Sequence, residues 1–164
     1  MSLFPRPQAA APRYSGVVSL ENQSRLAAGS LAPLRVYLVE DSTLLCQKIV
    51  EQLTDPGRIE VTGQAGTEGA AIHNIRDSRP DAVIVDIRLR EGNGVNVVRS
   101  IAQAKRPGDP PTVIVLTNYP VPEYYAECLA MGADYFFDKS TEFERVGEVL
   151  EELAANRRNT VRNA

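Results

Sequence analysis

The sequence predicts an α/β fold: a three-layer, doubly wound sheet of five parallel strands. Three observations carry that prediction. Apolar runs such as Ala82-Val-Ile-Val85 and Val113-Ile-Val-Leu116 are bounded by turn residues, which suits strands buried on both faces. Between these runs lie stretches whose apolar residues recur at helical spacing. Strand and helix patterns alternate along the chain, and short right-handed crossovers then place helices on both faces of the sheet.

The totals agree. With 164 residues there is room for one domain and some extra tail, and a hydrophobic content of 43% supports a core. A net charge of −3, from 18 basic and 21 acidic residues, argues against a general nucleic-acid binder. No run approaches the roughly 18 apolar residues of a membrane span, and no signal peptide is evident. Cys46 and Cys128 have neither metal nor redox spacing, so a reducing cytoplasm is the expected location. His73 cannot build a metal site alone and reads as a solvated helix residue.

In order along the chain, residues 1–33 read as a flexible tail rich in Pro, Ala and Ser, with Ser19 able to cap a short helix ending near Gly29. Leu34 to Val39 is the first strand, closed by Glu40 and Asp41. Ser42 caps a helix that buries Leu45, Cys46, Ile49, Val50 and Leu53. Ile59 to Ala65 alternates like a more exposed strand. A helix from about Glu68 to Asp77 carries Ala71, Ile72 and Ile75 inward until Pro80 stops it. The strand Ala82 to Val85 runs straight into Asp86. After Gly94 a helix to about Lys105 buries Val97, Val98 and Ile101. Thr112 to Leu116 is a strand ending in Thr117. Pro122 suits the first position of a helix reaching Met131, which buries Tyr125, Cys128 and Leu129. Tyr135 to Phe137 is the last strand, followed by Asp138 and Lys139. Thr141-Glu-Phe-Glu144 matches a capping box, and the final helix buries Phe143, Val146, Val149, Leu150 and Leu153. The domain is thus expected over residues 34–155, with a short polar tail, 156–164, that frays.

Four strand ends carry polar groups: Glu40 with Asp41, Asp86, Thr117 and Lys139. In parallel sheets the carboxyl ends of the strands form the ligand crevice. Taken singly, an acid or a threonine at a strand end is ordinary loop chemistry. It is the ordered set, at one edge of one sheet, that carries meaning. Three crowded carboxylates call for a hard cation such as Mg²⁺ or Mn²⁺. A carboxylate can also act as a nucleophile and form an acyl phosphate. Phosphoryl transfer relies on positioning and cationic stabilisation, which Lys139 and a metal would supply, and the Thr117 hydroxyl can donate to a phosphoryl oxygen.

These residues resemble the receiver domain of two-component response regulators, single-domain receivers of the chemotaxis kind included. The resemblance rests on Val39-Glu-Asp41, Asp86-Ile-Arg-Leu-Arg-Glu-Gly-Asn-Gly94, Leu116-Thr117 and Gly132-Ala-Asp-Tyr-Phe-Phe-Asp-Lys139, and spans about Leu34 to Leu153. It implies the strand order 2-1-3-4-5, flavodoxin-like, with two helices on one face and three on the other. It implies that Asp86 takes a phosphoryl group from a phosphohistidine on a sensor kinase or a phosphotransfer protein. Mg²⁺ would be held by Asp41, Asp86 and the backbone carbonyl of Arg88, with Glu40 acting through a water. Thr117 and Lys139 would grip the phosphoryl oxygens. Thr117 and Phe136 would form the switch. An unknown output protein would read the fourth helix, fifth strand and fifth helix, a face that also leaves room for a homodimer. Neither direct nucleic-acid binding nor a membrane is implied, and no turnover enzyme beyond weak acyl-phosphatase activity.

The chain departs from the family pattern at several positions. A common loop proline is Arg90 here, and the residue after the threonine, usually small, is Asn118. The proline that often follows the lysine through a cis bond is Ser140. A non-proline cis bond costs about 2.5–4 kcal/mol, so the Lys139–Ser140 bond is expected to be trans. Arg88 and Tyr119 are expected to flank the mouth and govern water access. Three other functions compete. An aspartyl phosphatase typically needs a second acid two residues after its nucleophile, and Arg88 stands there. A DNA-binding regulator would need a further module beyond the last helix. A phosphorylation-independent docking receiver would not need the full acid–threonine–lysine set.

Overall fold

The computed structural model of the chain describes residues 32–106 and 109–162, with side chains described up to 158. The expected N-terminal tail and its Ser19-capped helix lie outside the described residues up to position 31.

Apolar strands and amphipathic helices alternate as the periodicities require. The elements are β1 (Leu34–Val39), α1 (Thr43–Leu53), β2 (Ile59–Ala65), α2 (Glu68–Ser78), β3 (Ala82–Val85), α3 (Gly94–Ala104), β4 (Thr112–Thr117), α4 (Pro122–Ala130), β5 (Tyr135–Asp138) and α5 (Phe143–Arg162). All four strand pairings are parallel, in the order β2-β1-β3-β4-β5. The three central strands are almost wholly buried, which explains why β3 and β4 carry uninterrupted Val and Ile rather than an alternating pattern.

Alternation along β1 divides the core in two. Leu34, Val36 and Leu38 join Cys46, Ile49 and Leu53 of α1 and Val146, Val149 and Leu150 of α5 on one face. Tyr37 and Val39 join residues of α2, α3 and α4 on the other, including Ala71, Ile75, Val97, Val98 and Cys128. Two helices on one face and three on the other make three layers.

Helix starts are set by local chemistry. Ser42 accepts a hydrogen bond from Leu45 N at 3.3 Å, Thr67 from Ala70 N at 3.4 Å, and Asn93 from Val95 N at 2.8 Å. Pro122 opens α4 in place of a side-chain cap. The start of α5 differs from the expected Thr141–Glu144 box. Instead Glu142 folds back, its Oε2 accepting from Asp138 N at 3.1 Å while Glu142 N donates to Asp138 O at 2.8 Å. In a capping box the cap's side chain would accept from the helix; here the backbone carbonyl of Asp138 accepts, and the two bonds brace the end of β5 against the start of α5.

The last helix also differs, running to Arg162 instead of ending near residue 155. A tertiary contact sustains it: the Arg157 guanidinium pairs with Asp81 and donates to Pro33 O at 3.5 Å. Asp81 Oδ2 additionally accepts from Arg35 N at 2.8 Å, so one carboxylate ties α5 to the amino ends of β1 and β3.

Cys46 and Cys128 sit in opposite halves of the core, separated by the sheet, and both are free and buried. Burial raises the Cys46 thiol, with the Glu40 carboxylate adding to it, and pushes Cys128 up to about 11. Only the thiolate is nucleophilic. The folded protein should therefore resist alkylation by a thiol reagent at neutral pH, and two thiols should become reactive together in urea, which a mass-resolved time course would follow.

Candidate functional site

Parallel register delivers the polar residues to one place. Val39 of β1 pairs with Val85 of β3, and Asp86 N donates to Val39 O at 2.9 Å. The next residues, Glu40 and Asp86, therefore leave their strands side by side. Val85 pairs with Val115 of β4, and Thr117 pairs with Asp138 of β5. Lys139 N then donates to Thr117 O at 2.9 Å, so the last strand turns over the crevice where β4 ends.

The side chains complete a triad. Lys139 Nζ lies 2.7 Å from Glu40 Oε2 and 3.0 Å from Asp86 Oδ2. The three groups are buried: the Lys139 side chain is 6% exposed, Glu40 3% and Asp86 10%. Glu40 Oε1 accepts from Ser42 N at 3.0 Å, so both its oxygens have protein partners. Asp86 Oδ1 is different. It is buried and has no hydrogen-bond partner among the described residues. An unmatched carboxylate oxygen in a sheltered site is costly, and two carboxylates against one ammonium leave a net negative charge. The arrangement suits an incoming cation or electrophile.

Asp41, exposed at the mouth, is the remaining acid. The backbone of Gly66 lies close beside it: a Cβ there would stand 3.2 Å from Asp41 Cα and 3.4 Å from Arg90 Nη2. The loop of Arg90 thus brings a cation next to Asp41. Among the described residues no group of three or more His, Cys, Asp or Glu side chains is disposed to hold a metal. Mg²⁺ does not require one, since it usually takes one or two carboxylates and keeps several waters. The orphaned Asp86 oxygen fits that demand as one such ligand.

The loop after β3 is closely packed. Gly94 N donates to Ile87 O at 2.8 Å, and a Cβ on Gly94 would lie 2.0 Å from the Asp86 carbonyl oxygen. Gly92 has φ +82°, a conformation that favours glycine. Glu68, in the first turn of α2, holds this loop from outside. Its Oε2 accepts from Asn93 N at 2.8 Å and Asn96 Nδ2 at 3.1 Å, and its own N–H donates to Glu91 O at 3.0 Å. Sequence reasoning missed this role; an acid just after a capping threonine suggests only dipole compensation.

The expected residues thus divide. Glu40, Asp86 and Lys139 meet directly. Thr117 is fully buried, but its Oγ1 accepts from Tyr119 N at 3.2 Å, so the hydroxyl is engaged with its own loop. The Arg88 guanidinium stacks on the Tyr119 ring, 3.6 Å from its centroid, at the exposed rim. Phe136, on β5 beside Val115 of β4, is buried and meets Tyr125 edge-on, with ring centroids 5.4 Å apart. Among the described residues the one cis peptide is Pro110–Pro111, so Lys139–Ser140 is trans as expected.

Comparisons with known proteins bear on the family and the fold. The family model for the response regulator receiver domain matches residues 36–151. Among curated relatives, the DNA-binding transcriptional activator DevR/DosR of Mycobacterium tuberculosis is 25% identical over 124 residues, which cover 76% of this chain and 56% of that protein. The transcriptional regulatory protein DpiA of Escherichia coli is 30% identical over 120 residues, covering 73% and 51%. The chain spans about half the length of these relatives. Among solved structures, the signal receiver domain of the putative response regulator NarL of M. tuberculosis superposes with a TM-score of 0.66 at 22% identity, covering 76% of this chain and 98% of that one. The receiver domain of a putative Luxo repressor protein from Vibrio parahaemolyticus gives 0.65 at 25% identity, covering 78% and 95%.

Two substitutions test the packing of the site by urea unfolding. Lys139→Ala leaves two buried carboxylates without their cation and should cost ~3–5 kcal/mol. Gly94→Ala drives a methyl into the Asp86 carbonyl and should cost at least ~1–3 kcal/mol.

Proposed function

The chain belongs to the response regulator receiver family, and from that premise we propose that Asp86 accepts a phosphoryl group from a phosphohistidine donor. The observation that carries this reading is the Asp86 carboxylate itself: Oδ2 is fixed by Lys139 while Oδ1 is buried without a partner among the described residues. A lone pair of Oδ1 attacks phosphorus as the P–N bond of the donor breaks, and the bonding electrons return to the imidazole nitrogen. Lys139 stays beside the developing charge on the phosphoryl oxygens. Asp41, Asp86 and the Arg88 carbonyl would hold Mg²⁺, with Glu40 contributing through water. When bound, the metal offsets negative charge at the transferring group.

Phosphorylation adds roughly −1.5 to −2 charge at the crevice. The Thr117 hydroxyl then exchanges its loop contact for a phosphoryl oxygen. That movement vacates space in front of Phe136 and alters the face formed by α4, β5 and α5, where an output protein would bind. Arg88 and Tyr119, stacked at the rim, limit the approach of water and so lengthen the life of the acyl phosphate.

The relatives favour a second reading, a receiver acting within a longer transcriptional regulator, because the chain spans about half of each and the DevR/DosR protein is described as DNA-binding. Coding sequence beyond Ala164 in the full reading frame would support it.

Incubation with acetyl phosphate and Mg²⁺ should add the mass of one phosphoryl group to the wild-type chain and none to Asp86→Asn. Labelling of Asp86→Asn at another aspartate would overturn the assignment. Thr117→Ala should still be labelled, while the amide resonances of α4, β5 and α5 no longer respond.

A further inference from the structure

Lys139 reaches its carboxylates from a turn that is itself built by two neighbours. Asp138 Oδ1 accepts from Ser140 N at 2.9 Å and from Ser140 Oγ at 2.6 Å. These two bonds bracket Lys139, closing the residues on either side of it into one ring. The ring is anchored on both sides. Glu142 holds Asp138 N at 3.1 Å, and Thr117 O holds Lys139 N at 2.9 Å.

Closure matters because a lysine side chain is long and rich in rotamers. Whether Nζ arrives between Glu40 and Asp86 depends on the direction in which the backbone launches Cβ. With a trans Lys139–Ser140 bond and no proline ring, nothing covalent sets that direction. We propose that Asp138 and Ser140 form a positioning clamp that aims Lys139 at the phosphoryl-acceptor carboxylate. The clamp rests on the function proposed above for Asp86, which it deepens. Hydrogen bonds from Ser140 hold the Asp138 carboxyl below its ordinary range.

The chain contains its own control for a test. It has three lysines, Lys48, Lys105 and Lys139. Lys48 is exposed on α1, whereas Lys139 is buried. Limited reductive methylation of the full chain, mapped by mass spectrometry, should modify Lys48 and spare Lys139. Asp138→Ala should expose Lys139 to the reagent and slow labelling by acetyl phosphate and Mg²⁺ about tenfold, the scale of its two lost hydrogen bonds. Asp138→Asn keeps an acceptor oxygen at the same place and should restore both readouts to near wild type, which a general loss of stability would not permit. Ser140→Ala, which removes one of the two bonds, should give an intermediate result and serves as the variant if Asp138→Ala does not fold. Protection of Lys139 retained in Asp138→Ala or Ser140→Ala would overturn the clamp. Absence of labelling in the wild-type chain would instead overturn the function assigned to Asp86, while the methylation arm would still judge the clamp.

Discussion

One ammonium shared between two buried carboxylates is the interaction on which the site depends. Lys139, Glu40 and Asp86 leave three different strands, and their ion pairs exist only if β1, β3 and β5 are held in register around β4. Such pairs are poor sources of stability, because desolvation consumes most of the Coulombic gain. The apolar layers supply the stability instead. Val39, Val85 and Val115 lie directly beneath the polar edge and are completely buried, so the edge rests on a base that cannot shift without opening the core.

Much of this was legible in the sequence, for a physical reason. Burial on two faces writes itself as unbroken Val and Ile at β3 and β4, and burial on one face writes itself as helical spacing, as in α1 and α3. Both signals are local. Asp86 was legible because a carboxylate directly after such a run must emerge at the sheet edge. Lys139 was legible only jointly with it. What could not be read depends on contacts between distant residues: the grip of Glu68 on the loop of Asn93, the length of α5, which Asp81 sustains through Arg157, and the rotamer that gives the Thr117 hydroxyl to Tyr119 N. The turn that ties Asp138 to Glu142 has the same origin, since it requires knowing where β5 stops.

The departures from the family pattern also take on a physical sense. Ser140 brings an N–H and a hydroxyl that proline would lack, and both are used by Asp138. Arg90 lies over Gly66 beside Asp41, where a proline would carry no charge. A family pattern marks which positions matter. The surrounding contacts decide how a different residue fills them.

The two helices flanking β5 are fastened very differently. Along α5, Arg58 grips Glu151 and Asp81 grips Arg157, while Val146 and Leu150 are completely buried. Its shorter partner α4 has no side-chain cap, a single fully buried residue, Cys128, and one long ion pair, Glu127 with Arg99 at 3.9 Å, beside the edge contact of Tyr125 with Phe136. Mechanical compliance on this side of the molecule is therefore lopsided. A strain generated at the crevice would be absorbed by tilting the weakly moored helix against a stationary one, and a partner that touches both would sense the angle between them.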